Sequence, residues 1–533
     1  MKIPGELLRI HKSLHTWTGI LSGLLLFVGF FGGALTMFKE PLDRWVSTAS
    51  AEVLGEWPDG LDDRLLPEML SLHPEVAGEF SLYPRPLEHV QAPIRWTDAG
   101  ELGGSWWQAG RTADGALRVE SAPVSPLGEL VDLLHRTGGI PGYLGDEYLG
   151  VYLMGAAAVL YFLALVSGLV LVLPTLVKDF LALRPGRNRK RFWMDAHNVL
   201  GITSLPFHLV ISVTVIVFAF HDQFYDALAH VVYGERPSFA PVTVVAEPYD
   251  PARMLPLSHL LKKIEQEAPG FAATELLFMR VNTPRPMVRV ALEHPHALVR
   301  GPRTAYLLLH PYTGAVLDTS MLPGRESGWS TSVNLAFALH FGSYGGEPVR
   351  WMYFLLGIMG ALLFYTGNLL WLESRHKKKR ASDSAVLEPS PSVRFMAILT
   401  VGVSLGTVLG VGVALVAGKG LQGLGLEPYT LYVSVFYAVL IASVVWAAWR
   451  GAARAAVELL AACALAAFSM PLASLLSGWG ASGLVMGQGD PALLLVDAVA
   501  LSASCLLAWA ALRTRQRLRE AEPDRLWSLR AWR

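Results

Sequence analysis

Cysteine is nearly missing from this chain, with two in 533 residues. That count excludes a disulfide scaffold and any multi-cysteine zinc or iron–sulfur site. Cys463 and Cys505 both sit inside apolar runs and read as small, inert hydrophobes. Charge is scarce too, at 17% of residues, where soluble domains carry about 25%. The formal net charge is zero, so there is no basic excess to neutralise phosphates, and nucleic-acid binding is excluded. What the chain has instead is apolar residues, 52% of the total, with a mean hydropathy of +0.39. That points to a membrane. Histidines number fifteen, so any metal here is held by imidazole.

A helix needs roughly 20 apolar residues to cross the hydrocarbon core. Eight stretches qualify: about Trp17–Phe38, Leu149–Val177, His197–Phe220, Trp351–Leu372, Phe395–Ala417, Pro428–Trp449, Ala455–Leu476 and Pro491–Leu512. The first is too long for a signal-peptide core, and Lys39, Glu40, Asp43 and Arg44 separate it from Ala49-Ser50-Ala51, so it reads as a retained span. Basic clusters then set orientation. Arg9 and Lys12, the run Lys178–Arg191, Arg375–Arg380, Arg450 with Arg454, and Arg513–Arg517 all fall on one side if both termini are cytoplasmic. Two large outer segments remain. Residues 40–148 hold 19 acidic against 7 basic residues, a net −12, so the neutral total hides an acidic outside and a basic inside. In the second, Leu257–Glu267 has helical spacing, Met287–Leu292 and Ala305–His310 read as strands, and Pro311–Gly314 as a turn. Both are expected as small α+β domains facing the periplasm of a bacterial inner membrane.

The plan is duplicated. His15-Thr-Trp-Thr-Gly19 opens span one and His197-Asn-Val-Leu-Gly201 opens span three. Leu134-His135-Arg-Thr-Gly138-Gly139 precedes span two, and Leu339-His340-Phe-Gly342 with Gly345-Gly346 precedes span four. Residues 9–175 and 191–373 are thus two tandem copies. The expected fold is mainly α, with eight transmembrane helices, two periplasmic α+β domains and a C-terminal four-helix module. In segments, 1–40 holds the first helix, 41–148 the first outer domain, and 149–222 helices two and three. Residues 223–349 form the second outer domain, 350–373 helix four, 374–394 a basic linker, 395–517 helices five to eight, and 518–533 a tail.

A twofold axis along the membrane normal would pair His15 with His197 near one face and His135 with His340 near the other. Two opposed imidazoles are what a b-type haem iron takes as axial ligands, and two such pairs would make a wire across the bilayer. Gly19, Ser22, Gly23, Gly29, Gly32 and Gly33 leave room for a flat macrocycle, although small residues at this spacing also serve helix packing. His11 lies one turn before His15 as an alternative ligand. His208 and His221 have no counterparts in the first copy, where Leu26 and Lys39 stand. His208 follows His197 by eleven residues, about 16 Å along one helix face, as a candidate haem contact or proton relay. His221 is the same for the outer haem. His73, His89, His259, His294, His296 and His310 read as surface residues.

These motifs, with Asp195-Ala-His197-Asn-Val-Leu-Gly201, Ser204-Leu-Pro206-Phe and the segment Pro256–Thr319 closing on His310-Pro-Tyr-Thr-Gly314, resemble the PepSY-associated transmembrane helix family over residues 1 to about 373. The resemblance implies an inner-membrane reductase with two b haems that passes electrons outward to Fe(III), its substrate a ferric siderophore. The first outer segment is a poor match to a PepSY domain, and spans five to eight lie outside the four-helix plan. No G-x-G-x-x-G follows a strand, and the inner loops are only about 10–25 residues, too short for a nicotinamide or flavin domain. The electron donor is then membrane quinol, a soluble reductant or a separate reductase. Two other readings stay open, a tethered PepSY module regulating envelope peptidases and a transporter of haem or chelated iron.

Overall fold

The computed structural model describes residues 3–47, 63–87, 90, 92–97, 106–112, 114–122, 125–184, 189–228, 249–375, 389–420, 428–481, 491–520 and 527. In chain order, α1 (Gly5–Thr36) and α2 (Lys39–Val46) are followed by α3 (Leu65–Leu72) and strands β1 (Glu79–Leu82), β2 (Ile94–Thr97), β3 (Trp106–Arg111) and β4 (Leu117–Ser121). Next come α4 (Leu127–Thr137), the ribbon β5 (Tyr143–Leu144) and β6 (Glu147–Tyr148), α5 (Leu149–Val172) and α6 (Leu176–Asp179). The second copy has α7 (Arg189–Thr203), α8 (Leu205–Ala219), α9 (His221–Leu228), α10 (Leu257–Glu267), β7 (Ala272–Met279), β8 (Met287–Glu293), β9 (Ala305–Leu309), β10 (Val316–Asp318), α11 (Gly328–Phe341) and α12 (Gly346–Arg375). The C-terminal helices are α13 (Pro391–Gly420), α14 (Pro428–Arg450), α15 (Ala452–Ala481) and α16 (Pro491–Arg519).

The chain divides into two units. Residues 1–47, 125–220 and 354–533 form the helical one. Among the described residues, seven helices are long and apolar enough to cross a membrane, and α7 with α8 make an eighth if their bent pair is one span. The protein is therefore a multi-pass membrane protein. The bend corrects the straight third span expected from the sequence: α7 and α8 meet at 72°. Ser204 leaves helical geometry at φ −105° and ψ 9°, and Pro206 enters the first turn of α8, where its missing N–H is harmless, whereas mid-helix it would break the ladder. His197 and His208 consequently lie on different helices, not on one face of a single one.

α4 is short and amphipathic. Leu127, Leu130, Val131 and Leu134 sit at helical spacing and are all buried. It ends at Gly138, whose φ of +61° is the left-handed cap that glycine adopts without strain. α11 ends in the same way at Gly342, φ +64°. Part of the histidine–glycine motif is thus helix termination.

Residues 48–124 and 221–353 form the other unit. Here the expectation of two separate α+β domains is corrected. Both segments feed one antiparallel eight-stranded sheet, in the order β10-β9-β8-β7-β1-β2-β3-β4. Each copy supplies a helix, α3 or α10, and a four-strand meander, and the meanders join through their first strands. Phe80 pairs with Phe278 across that seam, the two rings stacked 4.8 Å apart at 7°. A local twofold axis passes between them. The degenerate first copy therefore keeps the fold of the second and shares its core, where Leu66, Met69, Phe80 and Ile94 pack with Leu260, Ile264, Phe278 and Val290.

Candidate metal centre

His15 reaches across from α1 to α5, where its Nδ1 donates to the Ala164 carbonyl at 2.8 Å. His197 reaches from α7 to α12, where its Nδ1 donates to the Leu363 carbonyl at 3.1 Å. A carbonyl oxygen only accepts, so in each ring the proton sits on Nδ1 and the lone pair on Nε2. Histidine ligands are commonly prepared this way, oriented and made more basic by a hydrogen bond at the far nitrogen.

The surroundings of the two rings repeat. Ser167 Oγ donates to the same Ala164 carbonyl at 3.0 Å, and Thr366 Oγ1 to the same Leu363 carbonyl at 3.0 Å. The next residue is glycine in both helices. A Cβ on Gly168 would stand 3.0 Å from His15 Cε1, and one on Gly367 3.2 Å from His197 Cε1. The sequence reading missed this carbonyl–hydroxyl–glycine seat. Its signal was the recurrence of Ser167-Gly168 and Thr366-Gly367 late in spans two and four.

The structure brings His15 and His197 together, ring centroids 5.9 Å apart and planes at 72°. Two imidazoles bound to one metal, each nitrogen about 2 Å from it, would stand at about that separation. Among the described residues, no group of three or more His, Cys, Asp or Glu side chains is arranged around a metal ion. Two protein ligands are too few for a bare zinc ion, which takes about four, but they complete an iron already held by a macrocycle. Space is present beside the pair: a Cβ on Gly19 would meet nothing within 4 Å, and one on Gly201 only Leu363 Cδ1 at 3.5 Å. The residues present therefore fit a bis-imidazole haem. The Nδ1 of His11, the alternative ligand, is buried without a hydrogen-bond partner among the described residues.

His135 has the same preparation. Its Nδ1 donates to the Gly29 carbonyl of α1 at 2.9 Å, and a Cβ on Gly33 would fall 2.6 Å from that nitrogen. The corresponding residues of the second copy are bulky, Ile211 and Val215. His340 belongs to the sheet-bearing unit, buried on α11 with its ring 5.6 Å from Phe341.

His208 is fully buried, and among the described residues neither ring nitrogen has a hydrogen-bond partner. It lies among Phe30, Phe207 and Tyr161, at 5.5, 5.5 and 5.9 Å, and the Tyr161 hydroxyl is also buried with no partner among the described residues. His221 is exposed at the start of α9, 3.1 Å from Asp222. In the sheet-bearing unit His73 pairs with Glu75 at 3.0 Å. His310 packs 5.1 Å from Tyr249, and burial lowers its pKa. His89 lies outside the described residues. Of the two cysteines, Cys463 is buried and Cys505 exposed.

The family model of the PepSY-associated TM region matches residues 12–374. No curated protein matches the chain.

Proposed function

The chain belongs to the PepSY-associated transmembrane family, and from that premise we propose that it is a di-haem b oxidoreductase of the bacterial inner membrane, moving electrons to periplasmic Fe(III), a ferric siderophore in the first instance. The observation that carries the reading is the His15–His197 pair: rings 5.9 Å apart, each donating its Nδ1 proton to a carbonyl in the matching position of α5 or α12. Packing alone does not call for two neighbouring histidines to spend their Nδ1 protons on equivalent carbonyls and leave both Nε2 lone pairs free to bind.

In this reading His15 and His197 hold one haem iron, and His135 is a ligand of a second. The outer assignment rests on the duplicated sequence and on the preparation of His135. When bound, the haem supplies a one-electron couple, and the ferric chelate gains one electron per turnover. The chain's own part is to fix both imidazoles, to keep Nε2 unprotonated through the Ala164 and Leu363 carbonyls, and to exclude water with apolar spans. Siderophores grip Fe(III) far more tightly than Fe(II), so a single electron releases the metal. The donor is quinol or a separate reductase.

The deciding experiment is an optical spectrum of detergent-purified protein before and after dithionite, with a pyridine haemochrome count. Low-spin b bands at two haems per chain, falling to one in His15→Ala and His197→Ala, support the reading. Colourless protein from haem-replete cells overturns it and favours a tethered regulatory module.

A further inference from the structure

The four C-terminal helices lie outside the matched residues 12–374, yet they converge on α4, the helix that carries His135. Two tyrosines of α14 reach it directly. The Tyr432 hydroxyl bonds Ser125 Oγ at 2.8 Å just before α4 begins, and Ser125 Oγ in turn accepts from Leu127 N at 3.4 Å. The Tyr437 hydroxyl donates to the Gly139 carbonyl at 3.1 Å just after α4 ends. The two contacts bracket His135.

A third route runs through α2. Trp45 Nε1 donates to Asp497 Oδ1 of α16 at 2.8 Å and contacts Ser474 Oγ of α15 at 3.0 Å, while Lys419 of α13 donates to the Trp45 carbonyl at 2.8 Å. α2 passes this hold on, since Asp43 Oδ1 accepts from Gly128 N at 2.6 Å and Lys39 pairs with Glu129, both in the first turn of α4. Hydroxyls, an indole N–H and a carboxylate inside an apolar bundle are costly unless bonded. Here they are spent on one eleven-residue helix. The left-handed turn at Gly138 and Gly139, φ +61° and +75°, is held by the Tyr437 bond to its second residue.

We propose that the C-terminal module is a positioning device for His135, with Tyr432 and Tyr437 as its positioning residues. The proposal rests on the haem reading above. α14 fixes both ends of α4, so the ring that meets the Gly29 carbonyl keeps its orientation, the one in which it would hold the outer haem. Loss of the two hydroxyls loosens α4 and moves the properties of that haem alone.

The test uses the full-length protein in nanodiscs, comparing Tyr437→Phe and the double variant Tyr432→Phe,Tyr437→Phe with Trp446→Phe. The control removes a bond of the same module, Trp446 Nε1 to Glu458 Oε2 at 2.6 Å, which joins α14 to α15 and not to α4 or α2. Hydrogen exchange over residues 127–137 should quicken in the tyrosine variants and stay as in the parent in Trp446→Phe. In a redox titration one haem should shift its midpoint potential, with a changed low-spin ferric EPR signal, while the other is unmoved. Unchanged exchange in α4 overturns the proposal, as does faster exchange with both haem signals unmoved, which would make the contacts purely structural. A parent protein without haem overturns the proposed function and this inference together, whereas an unmoved outer haem in a haem-loaded protein overturns the inference alone.

Discussion

At the scale of single residues, the seat under each imidazole is built by absence. Gly168 and Gly367 matter for the Cβ they lack, since His15 and His197 lie against them at 3.0 and 3.2 Å from where that atom would be. An alanine at 168 forces the His15 ring off the Ala164 carbonyl by a few tenths of an ångström, while the rest of α5 stays helical. Haem affinity should fall about 10-fold in Gly168→Ala, the low end of what disturbing a ligand's support costs, with expression and helicity unchanged. Haem titration of apo-protein checks this, and an unaltered affinity would show that the ring is not seated by α5. The histidines themselves were legible, because ligand-type residues recurring in two copies stand out in a sequence. The carbonyls that set their tautomer were not, because a backbone acceptor has no letter.

At the scale of helices, two elements carry costs that the packing alone does not explain. Among the described residues His208 has no hydrogen-bond partner at either nitrogen, and an unsatisfied buried polar group costs about 1–3 kcal/mol. Its counterpart Leu26 fills the equivalent place in the first copy. His208→Leu should therefore raise stability by about 1–3 kcal/mol, read by thermal unfolding in detergent. A loss of stability instead would mean that His208 is satisfied by a bound group. The first turn of α4 carries the second cost. Pro126 at its N-cap makes no side-chain cap, and Asp43 supplies the missing acceptor from α2. Burial pushes the Asp43 carboxyl up to about 7 from 3.8, against the pull of Gly128 N–H and Lys39. The folded state then keeps a proton on Asp43 that the unfolded chain gives up, so the contribution of Asp43 to stability falls as pH rises from about 4 to about 7 and is constant outside that window. In Asp43→Asn the acceptor stays and the titration goes. The difference in unfolding temperature between the two proteins should change across that window, and a constant difference would remove Asp43 from the account. The sequence showed α4 only as a histidine followed by glycines, because its anchors come from α2 and α14, far along the chain.

At the scale of the whole molecule, periodicity gave the spans and duplication gave the copies, but neither could show that the two outer segments complete each other. Alternation within β7, with Thr274, Leu276 and Phe278 buried, marks which face is covered and says nothing about which strand lies alongside. Likewise, apolar composition marked 197–220 as one span and passed over the bend at Ser204, which depends on a single proline's missing N–H. The shared sheet has a consequence for the pieces. Cut away from the first segment, residues 249–345 leave β7 as a bare edge in place of its pairing with β1, and unpaired edges recruit other strands. The lost partner was itself a copy of β7, related by the axis between Phe80 and Phe278, so a second β7 can take its place antiparallel with Phe278 stacked on Phe278. An isolated 249–345 fragment should therefore form a closed twofold dimer, which light scattering after size exclusion will read. Phe278→Arg, placing a charge in that stack, should return it to a monomer. Joining residues 63–122 to the fragment should do so as well, because β1 then occupies the edge. A fragment that is monomeric from the start, with the β7 amides protected from exchange, would show that the second copy closes its own sheet and that the seam is not what holds the two segments together.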